Sequence, residues 1–494
     1  MNSCKIWSST KRDAFIRVPP ELLDAVLGHF TDSASLATFS QVCRAWKHSC
    51  YRTLFKTVRF KAGHDSDRTY TGPSARVLVS KGPSGGLALA PQFIDLLAFF
   101  DAAPDVCPHV KELYLVGTCT PGTILSSSQS GLRLDLLQMI LMKLPALQVL
   151  SLHFLHLLPT VTRSPVCSPT FPHFWSIISE PPIAVEMPRT KLKRLHIGYL
   201  DSPPNEADGV VHVLDVLDLF DDIKELDLDC MLIPERALKF ALPENKALLP
   251  IRSQFLRVTS LVFGEHCSPT LISLLVNVLL TILPPDTLAS IDVQLARNSS
   301  RFISDILPDV NMFLKNVMHN LRSFTCDISG GRYLKPDAEI SVNDQLVRSA
   351  LACCSRLEVI TLFLVIRADG ASHAACKRSW NSCMNLLWSA SGSSRALARV
   401  NIAFLACDCD GDYCQEKSAF LENIGLLDWS RVDTFVERCS SSLKCVTIKA
   451  MDGPYRQKGS FSDRDQGVGE LGMKVHGVVQ SKVSLRTQAV LRFR

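Results

Sequence analysis

No uninterrupted apolar stretch of about twenty residues occurs in this chain of 494 residues, so no membrane-spanning helix is expected. The longest candidate, Leu271 to Leu283, is too short to span and reads as a buried helix between Pro269 and Pro284. The opening residues, MNSCKIWSSTKRDAFIR, hold no apolar run of secretory length. With no secretory signal, the eighteen cysteines are expected to be reduced thiols in the cytoplasm or nucleus, not a disulfide framework. Charge of one sign is also missing from most of the chain. The formal net charge is +5, and Gly453 to Arg494 alone holds eight Lys and Arg against three Asp and Glu, so residues 1–452 are formally neutral. A neutral body lacks the electrostatic footprint of a dedicated nucleic-acid binder.

Catalytic signatures are equally scarce. There is no Gly-x-Ser-x-Gly elbow, no P-loop and no dinucleotide glycine fingerprint. Cys407-x-Cys409 with Cys414 lacks a fourth zinc ligand at conventional spacing. Asp408, Asp410 and Asp412 resemble the start of a calcium loop, but Gly411 falls at the fourth position instead of the sixth, and position twelve is Ala419. No metal, no cofactor and no enzyme activity are expected. A composition 47% hydrophobic and 20% charged argues against global disorder.

What the chain does have is self-similarity. The pattern apolar-x-x-apolar-x-apolar returns ten times, starting at Val110, Leu147, Leu192, Ile223, Val258, Leu288, Leu321, Leu357, Leu397 and Leu443, with starts 30 to 46 residues apart. Its last two apolar positions are two apart, the period of a strand with one face buried. The intervals leave room for one helix and two connections between parallel strands. Val210 to Phe220, Leu271 to Leu283 and Val342 to Cys353 read as such helices. The predicted fold class is therefore α/β, a solenoid of parallel strands and helices over residues 93–452. His64 to Gly86 reads as a loop or hinge, with Val77-Leu78-Val79 as a further strand, and Pro159 to Pro188 as an insertion. Residues 61–92 are a linker or first irregular repeat. The Gly-rich basic tail, 453–494, is expected to be disordered, an atypical terminal cap being the other reading.

In every copy the residue between the last two apolar positions is expected to face out on the concave sheet: Tyr114, Ser151, His196, Asp227, Val262, Asp292, Thr325, Thr361, Asn401 and Thr447. Glu225, Asp227, Asp229, Asp292 and Asp327 make copies four to seven acidic. The candidate substrate-binding residues are these five with Tyr114, Arg194 and His196, an acidic surface for a basic segment of a protein partner. A solvated charged face without a ligand is the plain alternative.

Ahead of the repeats lies VPPELLDAVLGHFTDSASLATFSQVCRAWKHSCYRTLFKTVRF, residues 18–60. Pro19 and Pro20 suit the first turn of a helix, Glu21 its positive end, and Leu22, Leu23, Val26, Leu27 and Phe30 line one face. Thr31-Asp32-Ser33 breaks that helix and offers caps for the next. Leu36, Phe39, Val42, Cys43 and Trp46 continue the apolar pattern, yet three short helices bury too little surface to stand alone.

This segment, 15–60, resembles an F-box, a short all-α module: Val18-Pro19-x-Glu21-Leu22 its opening, Val26-Leu27 and Leu36 its middle, Val42-Cys43-Arg44-x-Trp46 its close. The continuation resembles F-box proteins numerous in mushroom-forming fungi, and the repeats resemble irregular leucine-rich repeats, without the regular asparagine position. The resemblance implies docking on the Skp adaptor of a cullin-RING ubiquitin ligase through Pro19, Glu21, Leu22, Leu23, Val26, Leu27, Leu36, Val42, Cys43 and Trp46, with a protein substrate on the solenoid and no nucleic acid or membrane as partner. The alternative is a leucine-rich-repeat interaction scaffold outside any ligase.

Overall fold

The computed structural model describes residues 20–30, 32–42, 44–62, 93–117, 131–158, 190–201, 213, 216–232, 256–264, 267, 272, 275–276, 279–280, 282–293, 312–317, 319–327, 350–367, 373–392, 396–407, 417–451 and 470–493. Two compact units divide the chain: the first takes Met1–Pro203 with His212–Phe220, the second Pro204–Val211 with Asp221–Arg494.

The first unit begins with three helices, α1 (Pro20–Gly28), α2 (Ser33–Phe39) and α3 (Arg44–Leu54). Asp32 caps α2, its carboxylate accepting from the amides of Ala34 at 3.1 Å and Ser35 at 2.8 Å. Leu23, Leu27, Leu36 and Cys50 form the core between the helices, with Phe39, Trp46 and Leu54 packed against it. An Arg52–Asp24 ion pair ties α3 back to α1.

Two residues after α3 the chain enters β1 (Thr57–Lys61), which pairs in parallel with β2 (Glu112–Val116). Between them lie α4 (Phe93–Ala102) and a 3₁₀ turn (Pro104–His109). Next come β3 (Gly131–Arg133), α5 (Leu134–Lys143), β4 (Val149–Leu158) and β5 (Thr190–Asp201). The strand order is β1-β2-β4-β5, with β3 beside β4 and every pairing parallel. In that register Val58, Leu113, Leu150 and Leu195 form one apolar row, and Phe60, Leu115, Leu152 and Ile197 the next, all buried. Phe93, Leu96 and Phe100 of α4 and Leu137, Ile140 and Leu141 of α5 are buried with them.

The second unit repeats the plan with β6 (Phe220–Leu232), β7 (Arg257–Phe263), β8 (Ser290–Val293), β9 (Ser323–Asp327), β10 (Val359–Arg367), β11 (Arg399–Cys407), β12 (Cys445–Met451) and β13 (Leu491–Phe493). They lie side by side in chain order, and the recorded pairs are parallel. Leu226, Leu261, Ile291, Phe324, Ile360, Val400, Val446 and Leu491 make its apolar row. Its helices include α6 (His373–Ser391), α7 (Lys417–Gly425), α8 (Ser430–Arg438), α9 (Glu470–Gln480) and α10 (Leu485–Val490). Trp380 of α6 is buried against Trp429 and Phe404, ring centroids 4.8 and 6.1 Å away, and its indole N–H donates to the Asp428 carbonyl at 3.0 Å.

The α/β class is borne out, and all ten copies of the repeat pattern are strands in one continuous register within each unit. Four expectations change. The sheet starts earlier than residue 93: Phe55-x-x-Val58-x-Phe60 satisfies the same pattern, and β1 is the first strand, not the end of the helical module. The tail is not disordered over 470–493. There α9 buries Leu471, Val475 and Val479, and β13 extends the apolar row, because Leu491-x-Phe493 supplies its last two positions. The helix placed over Val210 to Phe220 ends before Phe220, which opens β6. The column expected to face solvent is largely buried at Ser151, His196, Asp227, Thr361, Asn401 and Thr447. Alternation decides which face a side chain takes, not what closes over it. Within the second expected helix the described residues Ile272, Leu275, Val276, Leu279 and Ile282 are helical and buried, and 350–352 are helical at the end of the third. His64 to Gly86, Pro159 to Pro188 and 408–416 lie outside the described residues.

Burial pushes the Cys354 thiol up to about 12. Where α3 meets the 3₁₀ turn, the His48 and His109 rings stand edge to face 4.6 Å apart and Lys47 pairs with Asp105 at 3.0 Å. Burial, then the neighbouring His48 and Arg52, holds the His109 imidazole below its ordinary value. A lowered folded value means that the unfolded chain binds the proton first, so the stability is present above the unfolded value, ~6.5, and is lost as the pH falls through the folded one. The urea midpoint should fall between about pH 7 and pH 5, and part of that slope should vanish in His109→Phe. An unchanged slope in the variant would refute the assignment.

Candidate functional site

The helical module divides its apolar residues between two jobs. Leu23 and Leu27 point into the core at 6% and 0% exposure, while Leu22 and Val26, one position back on α1, are 59% and 54% exposed. Consecutive helical residues differ by about 100°, so two i, i+4 pairs in one apolar run face different ways. Val42, beyond α2, is 64% exposed, and Phe30 is exposed at the end of α1. Phe30 meets Phe39 edge-on at 5.1 Å, and Phe39 meets Trp46 at 5.4 Å, so this aromatic line connects the exposed positions to the core. Single exposed hydrophobics are ordinary; four within 21 consecutive residues of so small a module mark a surface that water does not favour.

Of the expected docking residues, Leu22 and Val26 on α1, with Val42 beyond α2, are displayed. Leu23, Leu27 and Leu36 belong to the core, and Trp46 is half-buried against Phe39. Pro19 and Cys43 lie outside the described residues, and of Glu21 only the backbone, in α1, is described. Phe30 was not among the expected residues, although its place on the α1 stripe and its position before the Thr31 break were the signal. Cys50 of α3 is buried, which raises its thiol above the usual range. The face can bind by apolar packing.

The expected substrate residues are placed by the two sheets separately. In the first unit Tyr114, Ser151 and His196 share one column. Arg59 of β1 extends it, with its guanidinium carbon 4.9 Å from the Tyr114 ring. Burial, then the Glu112 carboxylate, raises the Tyr114 phenol above its ordinary value. His196 lies against His153, ring centroids 4.5 Å apart, and Ser151 Oγ is 2.7 Å from His153 Nε2. A Cβ at Gly198 would come within 2.9 Å of His196 Nε2 and 3.0 Å of His153 Nδ1, so only glycine leaves room for both rings. Arg194 stands two residues before His196 on β5.

In the second unit Asp227, Val262, Asp292 and Thr325 share the column. Asp227 is 2% exposed and so is withdrawn from any docking surface. The Asp229 carboxylate fills the space a Cβ at Gly264 would need, Glu225 is half-buried, and Asp327 ends β9 beside Phe363 of β10. Farther along, Asn401 Nδ2 donates to Thr361 Oγ1 at 3.0 Å, which satisfies two buried polar side chains together. Among the described residues no group of three His, Cys, Asp or Glu side chains is placed to hold a metal ion. No described helix is long and apolar enough to cross a membrane.

Residues 15–61 match the F-box-like family. No curated protein matches the chain. Among solved structures, the chain is similar to a chain of the complex of Rad7 and Elc1 from yeast, with 13% identity, coverage of 80% of this chain and 90% of that one, and a TM-score of 0.27. The F-box-like match includes β1, so this region ends inside the sheet.

Two neighbouring leucines test the division of labour. Leu23→Ala should cost about 2–5 kcal/mol of module stability, whereas Leu22→Ala should stay within roughly 0.5 kcal/mol. Urea unfolding followed by Trp46 fluorescence in a background lacking the other tryptophans would measure both. Equal costs would refute it.

Proposed function

We propose that this protein is a substrate receptor of a Skp-cullin-F-box ubiquitin ligase. The F-box-like module docks on the Skp adaptor through the Leu22, Val26, Phe30 and Val42 face, and the strand-and-helix units, read as irregular leucine-rich repeats of the fungal type, hold a protein substrate. The reading makes it a non-catalytic adaptor of the cytoplasm or nucleus, with ubiquitin transfer performed by associated subunits. The observation that carries it is the exposed apolar face on an F-box-like module whose own core is complete without it. The F-box match supports the adaptor as partner.

A scaffold outside any ligase is the second reading, and one observation bears on it. The module does pack on its own first repeat, through Lys47 with Asp105, His48 with His109 and Phe55 with Phe99. Those contacts are made by α3 and the residue after it, while Leu22 and Val26 on α1 stay exposed, so self-packing does not consume the docking face.

Size-exclusion chromatography of the full chain with the Skp adaptor tests the choice. The parent should co-elute, and the Leu22→Glu, Val26→Glu double variant should not, while keeping the parent's circular dichroism. Because Leu23 belongs to the core, substituting it would confuse docking with folding. A folded parent that elutes apart from the adaptor would favour the scaffold.

A further inference from the structure

A row of lysines crosses the first unit at the entry to its strands. Lys56, Lys111, Gln148 and Lys193 occupy equivalent positions one residue before the paired segments of β1, β2, β4 and β5. Backbone bonds fix the row. The Lys56 carbonyl accepts from the amides of Lys111 and Glu112, the Lys111 carbonyl from Gln148 and Val149, and the Gln148 carbonyl from Lys193 and Arg194, at 2.7 to 3.1 Å. Neighbouring strands lie about 4.8 Å apart, so the three lysines fall within about 15 Å, and adjacent members sit inside a Debye length at physiological salt. Lys56, Lys191 and Lys193 are exposed and Lys111 half-buried.

Several other described cations of this unit are neutralised. Lys47, Arg52, Arg133 and Lys143 are each paired with an aspartate. Lys56, Lys111, Lys191 and Lys193 have no carboxylate partner among the described residues. The equivalent row of the second unit is interrupted by uncharged Thr259, Ala289 and Ala398, and its Arg322 is 3.5 Å from Glu358; lysines remain only at its ends, Lys224 and Lys444. Protection of a sheet edge would account for Lys56 beside β1, but Lys111 precedes β2, which lies between β1 and β4.

We infer that this lysine row is a docking surface for an acidic, extended segment of a protein partner. The inference rests on the receptor reading only for the partner's role as substrate. Unneutralised like charges held in register repel one another, and an anionic chain laid across the strand entries relieves that repulsion. A single-stranded nucleic acid fits less well, because it needs aromatic platforms for its bases. Tyr114, beside the row, is covered by Arg59, and the row itself holds no aromatic residue.

Fluorescence anisotropy of the full chain with fluorescein-labelled decaglutamate tests this, with oligo-dT of equal charge as the competing class. The parent should bind decaglutamate, more weakly as salt rises. Lys56→Glu, Lys111→Glu, Lys193→Glu should lose at least about tenfold in affinity, while Lys315→Glu, Lys444→Glu, Lys482→Glu, with the same net charge, should stay within about twofold. Equal losses in both variants, no binding by the parent, or tighter binding of oligo-dT lost in the same variant would each overturn the proposal. Adaptor co-elution of the same preparations separates the two readings: failure of peptide binding with co-elution intact rejects the lysine row alone, and failed co-elution with peptide binding intact rejects the ligase reading alone.

Discussion

Val58, Leu113, Leu150 and Leu195 stand in register across four strands of the first unit, and eight further residues from Leu226 to Leu491 do the same in the second. A slip of one residue in any strand would send its apolar positions to the opposite face and its column residue into the helical layer. The register is held from the backbone side too. At each recorded strand entry of the first unit, one carbonyl accepts two amides of the next strand, and Ala289, Arg322, Glu358 and Ala398 repeat the arrangement in the second. The lysines at the entries and the buried column of Ser151, Thr361, Asn401 and Thr447 inherit their spacing from these rows.

The helical module is bound into the same constraint. Because α3 runs into β1 with only Phe55 and Lys56 between them, and because Phe55 opens a copy of the repeat pattern, the module and the first sheet share a junction instead of a linker. Contacts beyond the junction stiffen it: Lys47 with Asp105, His48 with His109, Phe55 with Phe99 and Phe60 with Phe93. Three short helices that bury too little surface alone thereby gain a neighbour through α3, which leaves α1 free to display Leu22 and Val26.

Ten strands were legible because a buried row demands the same residue class at the same offset in every copy. β1 was hidden because Val58 and Phe60 also fit the end of the F-box resemblance, and β13 because Gln488 stands where the first apolar residue should be. The docking face was half legible. Periodicity gathers Leu22, Leu23, Val26 and Leu27 on one stripe, and only the position of α3 decides which edge of that stripe becomes core. The buried column was not legible, since alternation cannot tell an open face from a covered one. Its composition held a clue all the same: serine, threonine and asparagine can satisfy one another across strands, as Asn401 and Thr361 do.

Formal neutrality over residues 1–452 concealed a second kind of information. A sum of charges says nothing about where they lie, and the register sorts them. Described ion pairs of the first unit such as Lys143 with Asp101 and Arg133 with Asp135 neutralise helices and their approaches, while the strand entries keep their lysines. In the second unit Asp221 and Asp222 stand near the start of β6, and Asp227 of the same strand is buried. An overall charge near zero is therefore compatible with faces of definite sign, and it is the faces that a partner meets.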